Sequence, residues 1–298
     1  MPVNRREFLA LATLPLLSGT LKSSAAEAGG MFVCMHEITS LTFDFRSAME
    51  GYARAGIRAV EPDLGKVREF TGKNTPGKAR QLLDDLGLKA VSCSNQLFLE
   101  ESGPRRAGSL EELKWKLELA EAIGADRMVI PSAASEPHTM EDYDQVIANL
   151  REAADLAQPH RVTLMVEFTR LSTLINNLRT ALKVVREADH PYLKVMLDTF
   201  HFWSGMSKFE DLELLREGEL HHLHFEDIPG DQPLETFGQQ SRVFPGEGIA
   251  PLRRIIEMLR QKGYHGPASL ELFNPVVQAT DPYAVAMQAR RTIEPLIA

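Results

Sequence analysis

The alternation of short β-rich runs with longer amphipathic runs is the feature that most constrains how this chain can fold. Eight β-rich runs occur, at residues 31–38, 58–61, 88–94, 127–131, 163–168, 193–198, 221–228 and 268–273. Residues 110–123 exemplify the helical patterns between them, because Leu113, Leu117, Ala120 and Ile123 recur at three- and four-residue spacing. Eight strand-then-helix units predict a closed parallel (β/α)8 barrel, the TIM barrel.

The competing architecture is an open, doubly wound sheet. Such sheets normally carry a glycine-rich first turn, and the residues that follow Ile38 contain none. A chain of 298 residues with 44% apolar residues can bury one large core, and barrels of about 250 residues fold as single domains. We therefore predict one barrel domain over residues 29–298.

The first 28 residues differ from the rest in composition. Arg5 and Arg6 precede an apolar run at residues 9–17, and small residues follow at 23–28. The run is broken by Thr13 and Pro15 and is shorter than the roughly 20 apolar residues that span a bilayer. The pattern resembles a twin-arginine export signal and predicts cleavage after Ala26 or Ala28, a periplasmic protein and no stable membrane anchor.

The net charge argues against one class of binding partner, and the cysteine positions indicate a structural role. The formal net charge is −8 and no basic run interrupts the acidic surface, so nucleic acid is not an expected partner. Cys34 and Cys93 lie in apolar segments without metal-ligand spacing, which indicates core positions and leaves a disulfide open. The sequence also leaves a homo-oligomer open.

Ionisable residues end the last four predicted strands. They are Glu167, Asp198, His224 and Glu271. Because the carboxyl ends of barrel strands meet at one mouth, these side chains should face a common point. Three carboxylates at one point repel one another unless a cation lies among them. The alternative is that each carboxylate pairs with an arginine or caps a helix.

The set therefore predicts one divalent metal ion. Three oxygen ligands and one imidazole suit a hard cation, so Mn²⁺ is the first expectation, with Mg²⁺, Co²⁺ and Zn²⁺ left open. Such a site leaves coordination positions for the oxygens of a substrate.

Five short segments, in this order and spacing, resemble the xylose isomerase-like family of sugar isomerases and epimerases. They are VEF at 166–168, LDTFH at 197–201, HLHFED at 222–227, PGEG at 245–248 and GYHG at 263–266, which continues to SLEL at 269–272. The resemblance extends over the barrel domain and implies a TIM barrel fold. It also implies that Glu167, Asp198, His224 and Glu271 bind the metal and that His201 binds substrate.

The same resemblance implies a mechanism. The metal would hold a carbonyl oxygen and an adjacent hydroxyl, and proton removal from the carbon between them would give an enediolate. Glu167 and Glu271 would remove and return the proton. Two departures affect the substrate contacts: many relatives carry lysine where this chain has Glu226, and the epimerase branch has a substrate-binding arginine where this chain reads IPG at 228–230.

Four further residues are weaker candidates. His36 and Glu61 end the first two strands, so each is predicted to bind substrate hydroxyls, although residues of these types at a strand end are more often structural hydrogen-bonders. Trp203 could stack on a sugar ring or simply pack. His222 shares a strand face with His224 and should lie deeper.

These residues predict a metal-dependent isomerase or epimerase whose partner is a small-molecule carbohydrate. We expect an unphosphorylated sugar or keto-sugar, because the loop after the eighth strand, NPVV at 274–277, lacks a glycine-rich phosphate turn. Two alternatives stay open. The same proton abstraction could expel a substituent, giving a lyase of oxidised (keto) glycosides, or the barrel could be a non-catalytic sugar-binding module.

Overall fold

The computed structural model describes residues 30–72, 75–94 and 96–298. The export signal predicted at residues 1–28 lies outside these ranges. Within them, no helix combines the length and apolar character needed to cross a membrane.

Parallel strands form the centre of the molecule. They are β1 (Phe32–His36), β2 (Ala59–Glu61), β3 (Lys89–Ala90), β4 (Cys93–Ser94), β5 (Arg127–Pro131), β6 (Thr163–Glu167), β7 (Leu193–Asp198), β8 (Leu220–His224) and β9 (Pro267–Leu270). The sheet order is β3-β2-β1-β9-β8-β7-β6-β5-β4. Its two end strands, β3 and β4, are neighbours in the chain, so the sheet curls round into a nearly closed barrel and confirms the predicted fold.

Several strands are shorter than predicted, and the runs at 221–228 and 268–273, for example, end at His224 and Leu270. The run at 88–94 divides into β3, which pairs with β2, and β4, which pairs with β5. The first run ends at His36, because a 3-10 turn at Glu37–Ser40 follows and the His36 side chain accepts a hydrogen bond from the Ile38 amide. His36 thereby terminates the strand at the barrel mouth.

Helices surround the barrel and shape its mouth. They are α1 (Phe45–Arg54), α2 (Leu64–Gly72), α3 (Pro76–Asp85), α4 (Pro104–Ile123), α5 (Met140–Ala157), α6 (Leu178–Ala188), α7 (Thr199–Ser204), α8 (Phe209–Glu213), α9 (Leu252–Gln261), α10 (Pro275–Gln278) and α11 (Pro282–Ile297). In α4 the predicted stripe is buried. Gly124 ends that helix at φ 80°, a left-handed conformation that glycine adopts without strain.

The two faces of each strand have different neighbours. Outward residues such as Leu164 and Leu223 pack in the main core with the helices. Inward residues fill the barrel with small clusters, one of Cys34, Ala59 and Val91 and another of Val129, Met165 and Met196. Both cysteines are buried and free, as the core interpretation predicts. The next inward positions toward the mouth carry the ionisable residues, so the barrel changes from apolar to polar along its axis.

Candidate metal centre

The structure brings the four strand-end residues together at the mouth. Glu167, Asp198 and His224 end β6, β7 and β8, and Glu271 directly follows β9. Each offers one ligand atom, and these atoms all lie within 4.8 Å of one another. His224 Nδ1 is 3.5 Å from Glu167 Oε1, 3.9 Å from Asp198 Oδ2 and 3.3 Å from Glu271 Oε2.

This arrangement fits a single divalent ion. Atoms bound to one ion at about 2.0–2.2 Å lie roughly 3–4 Å apart, which is the spacing observed here. Glu167 Oε1 and His224 Nδ1 are also buried without a hydrogen-bond partner. Buried polar atoms normally have a hydrogen-bond partner. Two such atoms that face each other without one indicate a place where a bound ion would serve as the partner of both. The donor set of three carboxylates and one imidazole suits a metal cation.

Arg242 also lies among these side chains, although no sequence pattern points to it. Its guanidinium donates to Glu271 Oε2 and Asp198 Oδ2, each at 2.7 Å. The Phe200 and Phe273 ring centroids lie 4.9 and 4.8 Å from its Cζ. The arginine-pairing alternative therefore holds for two of the carboxylates. It leaves the atoms Glu167 Oε1 and His224 Nδ1 without a hydrogen-bond partner, and one arginine does not balance three carboxylates.

The charges in this cluster influence one another strongly. Burial raises the pKa of Glu167 to about 7. Burial would raise the pKa of Glu271 and Asp198 too, but the pKa of Glu271 is lowered by His224 and Arg242, and that of Asp198 by Arg242 and His201. For His224, the carboxylates of Glu271 and Glu61 outweigh burial and hold its pKa well above the usual value. The cluster thus combines buried carboxylates with the buried cationic side chains of Arg242 and His224.

Glu61 lies beneath the cluster rather than along the substrate cavity. Glu61 is fully buried. Its Oε2 lies 2.7 Å from His222 Nε2 and 3.2 Å from His224 Nε2. The same oxygen accepts a hydrogen bond from Ser269 Oγ at 2.9 Å. Although burial opposes it, the neighbouring histidines hold the pKa of Glu61 well below its usual value. The predicted substrate contact does not fit this position; instead, Glu61 orients the His224 ring so that Nδ1 faces the carboxylates.

His222 lies deeper in the barrel than His224, as strand alternation predicts. With His36 and His224, Glu61 forms a second group of possible donors. Its oxygens are already bound by histidine and serine side chains. We therefore assign Glu61 a positioning role.

The other predicted substrate-binding residues, His201 and His36, line the mouth cavity. His201 Nδ1 accepts a hydrogen bond from the Arg170 amide at 3.2 Å, and His201 Nε2 lies 3.2 Å from a guanidinium nitrogen of Arg242. Burial lowers the pKa of His201 to about 4, so the ring is neutral. His36 Nε2 is 2.6 Å from Ser94 Oγ and 3.4 Å from Glu271 Oε1. Trp203 packs near Phe209 and Phe200 instead of lining the cavity.

The cavity above the cluster has a volume of about 630 Å³. Glu167 and Glu271 line it, whereas Asp198 and His224 do not. A substrate can therefore reach both glutamates, while the aspartate and the histidine lie behind them.

The loop after β8 holds Arg242 in place through Asp227. The Asp227 carboxylate accepts hydrogen bonds from the amides of Ile228, Gly246, Gly248 and Ala250 at 2.8–3.1 Å. The Asp227 backbone also pairs with Val243, next to Arg242. A Cβ at Gly248 would lie 2.5 Å from Asp227 Oδ1, so this part of the PGEG segment requires glycine. The IPG segment at 228–230 has no arginine, but Arg242 lies later in the same loop.

Glu226, where many relatives have lysine, is fully buried beside Asp198. It accepts hydrogen bonds from the Phe200 amide at 3.0 Å and Thr199 Oγ1 at 3.2 Å. Burial and the Asp198 charge hold its pKa well above the usual value. The residue that replaces the lysine therefore caps the start of α7.

A TIM barrel with a cluster of possible metal ligands at its mouth is typical of metal-binding barrel proteins. The chain belongs to the xylose isomerase-like TIM barrel family, whose model matches residues 50–294.

Its curated relatives include enzymes of two reaction types. An inosose isomerase of Halalkalibacterium halodurans is 26% identical over 231 residues, covering 76% of this chain and 79% of that protein. A 3-dehydroshikimate dehydratase of Pseudomonas putida is 27% identical over 240 residues, covering 79% of this chain but only 37% of that longer protein.

Solved structures agree on the fold. The IOLI protein, whose crystal structure carries a zinc atom, superposes with a TM-score of 0.83 at 21% identity over 89% of this chain and 98% of that one. An L-ribulose 3-epimerase gives a TM-score of 0.72 at 21% identity over 89% of this chain and 94% of that one.

Proposed function

We propose that this protein is a divalent-metal-dependent isomerase or epimerase that moves a proton on the carbon next to the carbonyl of an unphosphorylated sugar or keto-sugar. One observation carries the proposal. Four ligand atoms converge at the barrel mouth, and of their residues Glu167 and Glu271 alone line the cavity. Relatives named inosose isomerase and D-psicose 3-epimerase support the reaction class.

The metal ligands in this proposal are Glu167, Asp198, His224 and Glu271. When bound, a divalent ion supplies the positive charge that acidifies a carbon next to a carbonyl. We propose Mn²⁺, because the ligands are mainly carboxylates; the zinc atom in the IOLI structure makes Zn²⁺ the next ion to test.

Proton transfer is assigned to the two cavity-lining glutamates. One accepts the proton from the substrate carbon, and the other returns a proton to a neighbouring carbon or to the opposite face of the same carbon. His201, which lines the cavity beside Arg242, contacts a substrate oxygen. Arg242 holds Asp198 and Glu271 in place through hydrogen bonds at 2.7 Å.

The surroundings of the cavity favour a substrate without phosphate. Arg170, which lines the cavity, donates to the carbonyls of Ser204, Phe237 and Leu234. At the start of α10, Asn274 Oδ1 already accepts from the amides of Val276 and Val277. These donors, which would otherwise be available to a phosphate, are engaged within the protein.

A lyase is the second candidate, supported by the dehydratase relatives, since a dehydratase by its name eliminates water. In a glycoside oxidised at C3, a glutamate would accept the C2 proton. The C2–H electron pair would form the C1=C2 double bond, and the C1–O bond would break. The substituent would leave with its oxygen and take up a proton.

Elemental analysis and a substrate panel test the proposal. We expect about one divalent ion per chain, and conversion of an inosose, a ketohexose or a 3-oxo-glucoside that stops when the ion is chelated. Rearranged sugar identifies an isomerase or epimerase, and a released alcohol identifies a lyase. Protein without metal that is not activated by Mn²⁺, Co²⁺ or Zn²⁺ would exclude both.

A further inference from the structure

Exposed apolar side chains concentrate at the barrel mouth. In the part of the chain that the structure describes, eight large apolar residues are exposed. Seven of them lie on segments that follow the carboxyl ends of the strands, and only Met287 lies elsewhere, on α11. Leu171, on the connection after β6, is 76% exposed and lines the cavity. Exposed apolar residues grouped on one face mark a binding surface, whereas scattered ones need no explanation.

Aromatic side chains lie beside the candidate metal centre and line the same cavity as Leu171. Arg242 lies between the rings of Phe273 and Phe200. The Phe200 and Phe237 ring centroids are 6.4 Å apart, and both residues line the cavity. We call Phe200, Phe237 and Leu171 the apolar wall.

Hydrogen bonds fix the position of this wall. Arg170, next to Leu171, donates to the Phe237 carbonyl at 2.6 Å and to the Leu234 carbonyl at 2.9 Å. The connection after β6 is therefore joined to the loop after β8, and the wall is held in place before substrate arrives. Preformed apolar surface binds a ligand without the entropic cost of ordering it.

The remaining cavity surface has a different character. Its floor carries Glu167, Glu271, His201 and Arg242, which are suited to the oxygens of a sugar. A cavity of about 630 Å³ falls in the range of pockets that enclose drug-sized ligands, and one sugar ring fills only part of it. A free monosaccharide on the floor would leave Leu171 and the outer part of the wall uncovered.

We propose that the substrate is an oxidised (keto) glycoside whose apolar, ring-sized substituent is seated against the apolar wall. This inference rests on the proposed function, since it assumes that the sugar carbonyl lies at the metal centre. The substituent would run from the floor past Phe200 and Phe237 to Leu171, and its apolar surface would be removed from water along that path.

Equilibrium binding to the metal-loaded protein tests this directly. The probes are phenyl and methyl β-D-glucopyranosides and the matching galactosides, which differ only in the substituent and do not react. We expect the phenyl compound of at least one pair to bind at least tenfold more tightly. Leu171→Gln and Phe237→Ala should abolish that preference, while Met287→Gln, an exposed apolar residue elsewhere, should retain it.

The outcomes of this binding experiment distinguish a failure of this inference from a failure of the proposed function. Equal affinity within each pair, absence of measurable binding, or a preference that survives both wall substitutions would overturn the inference. So would a change of oligomeric state in Leu171→Gln without a change of preference, because the wall would then contact a second copy. Each of these results leaves the metal content and the keto-sugar panel to decide the proposed function independently.

Discussion

At the scale of single residues, Arg242 and the proposed ion have overlapping electrostatic roles. Arg242 contacts the same oxygens of Asp198 and Glu271 that lie nearest His224 Nδ1. Replacing it leaves two buried carboxylates without their partner, which costs about 3–5 kcal/mol in metal-free protein. If those carboxylates also bind an ion, added metal should compensate for part of this loss.

Arg242→Met therefore tests whether arginine alone balances the cluster. We expect metal-free Arg242→Met to unfold well below the wild type, and added Mn²⁺ or Zn²⁺ to raise its thermal midpoint more than it raises that of the wild type. Arg253→Met, on the exposed side of α9, serves as the control and should match the wild type. Midpoints that do not respond to any divalent ion would mean that the carboxylates need no metal.

His201 should contribute to substrate binding without holding the metal. His201→Ala removes the imidazole that contacts substrate in this proposal, so we expect KM to rise about tenfold, the effect of one lost hydrogen bond, with metal content unchanged. His160→Ala, on the outside of the barrel beside Glu121, is the matched control. Loss of metal in His201→Ala would instead place this residue among the ligands.

At the scale of elements, the β8–α9 connection depends on Asp227. In Asp227→Asn, one acceptor oxygen replaces two, so some of the four amide hydrogen bonds at Asp227 must be lost. We expect faster amide exchange over residues 229–250 and at least a tenfold loss of turnover, with the metal retained.

Asp231→Asn is the control for this loop, because Asp231 is exposed in the same connection. Equal amide exchange in Asp227→Asn and the wild type would show that the loop does not depend on this carboxylate. Loss of the metal together with turnover would indicate that Asp227 acts through His224 on the same segment.

Strand positions predict the convergence of Glu167, Asp198, His224 and Glu271, because alternation and the shared direction of the strands determine both the face and the end. Arg242 could not be predicted in this way. It lies in an irregular loop, where no periodicity relates sequence to position, and its placement depends on Asp227 and Val243. The signal for it was indirect: a long loop at the active face, ending in the PGEG segment.

The surroundings of Glu61 do not follow from its strand-end position alone. From sequence, Glu61 ends a strand as Glu167 does, but β2 is only three residues long and its last residue pairs with His36. In register Glu61 is level with His36, which lines the cavity, but the Glu61 carboxylate contacts Ser269 and His222 and does not line it. Side-chain direction, which sequence alone does not specify, decides which strand-end residue reaches the cavity.

At the scale of the whole molecule, we propose that the protein is exported to the periplasm and loses its first residues. The motivation is the Arg5-Arg6 pair before a short apolar run. N-terminal sequencing of protein from its native source should find a start near Glu27 or Gly29, and Arg5→Lys combined with Arg6→Lys should retain the full-length chain inside the cell. A native chain that begins at residue 1 or 2 would contradict export by this signal.

The central claim is that Glu167 and Glu271 move a proton beside a carbonyl with the help of a bound metal. Solvent exchange measures this step directly: wild-type, metal-loaded protein in deuterated water should place deuterium on the carbon next to the carbonyl of a converted keto-sugar before net conversion is complete. Glu271→Gln and Glu167→Gln should each slow this exchange by about two to four powers of ten, while much of the metal is retained. Near-normal exchange in either variant, or undiminished exchange after chelation, would contradict the account.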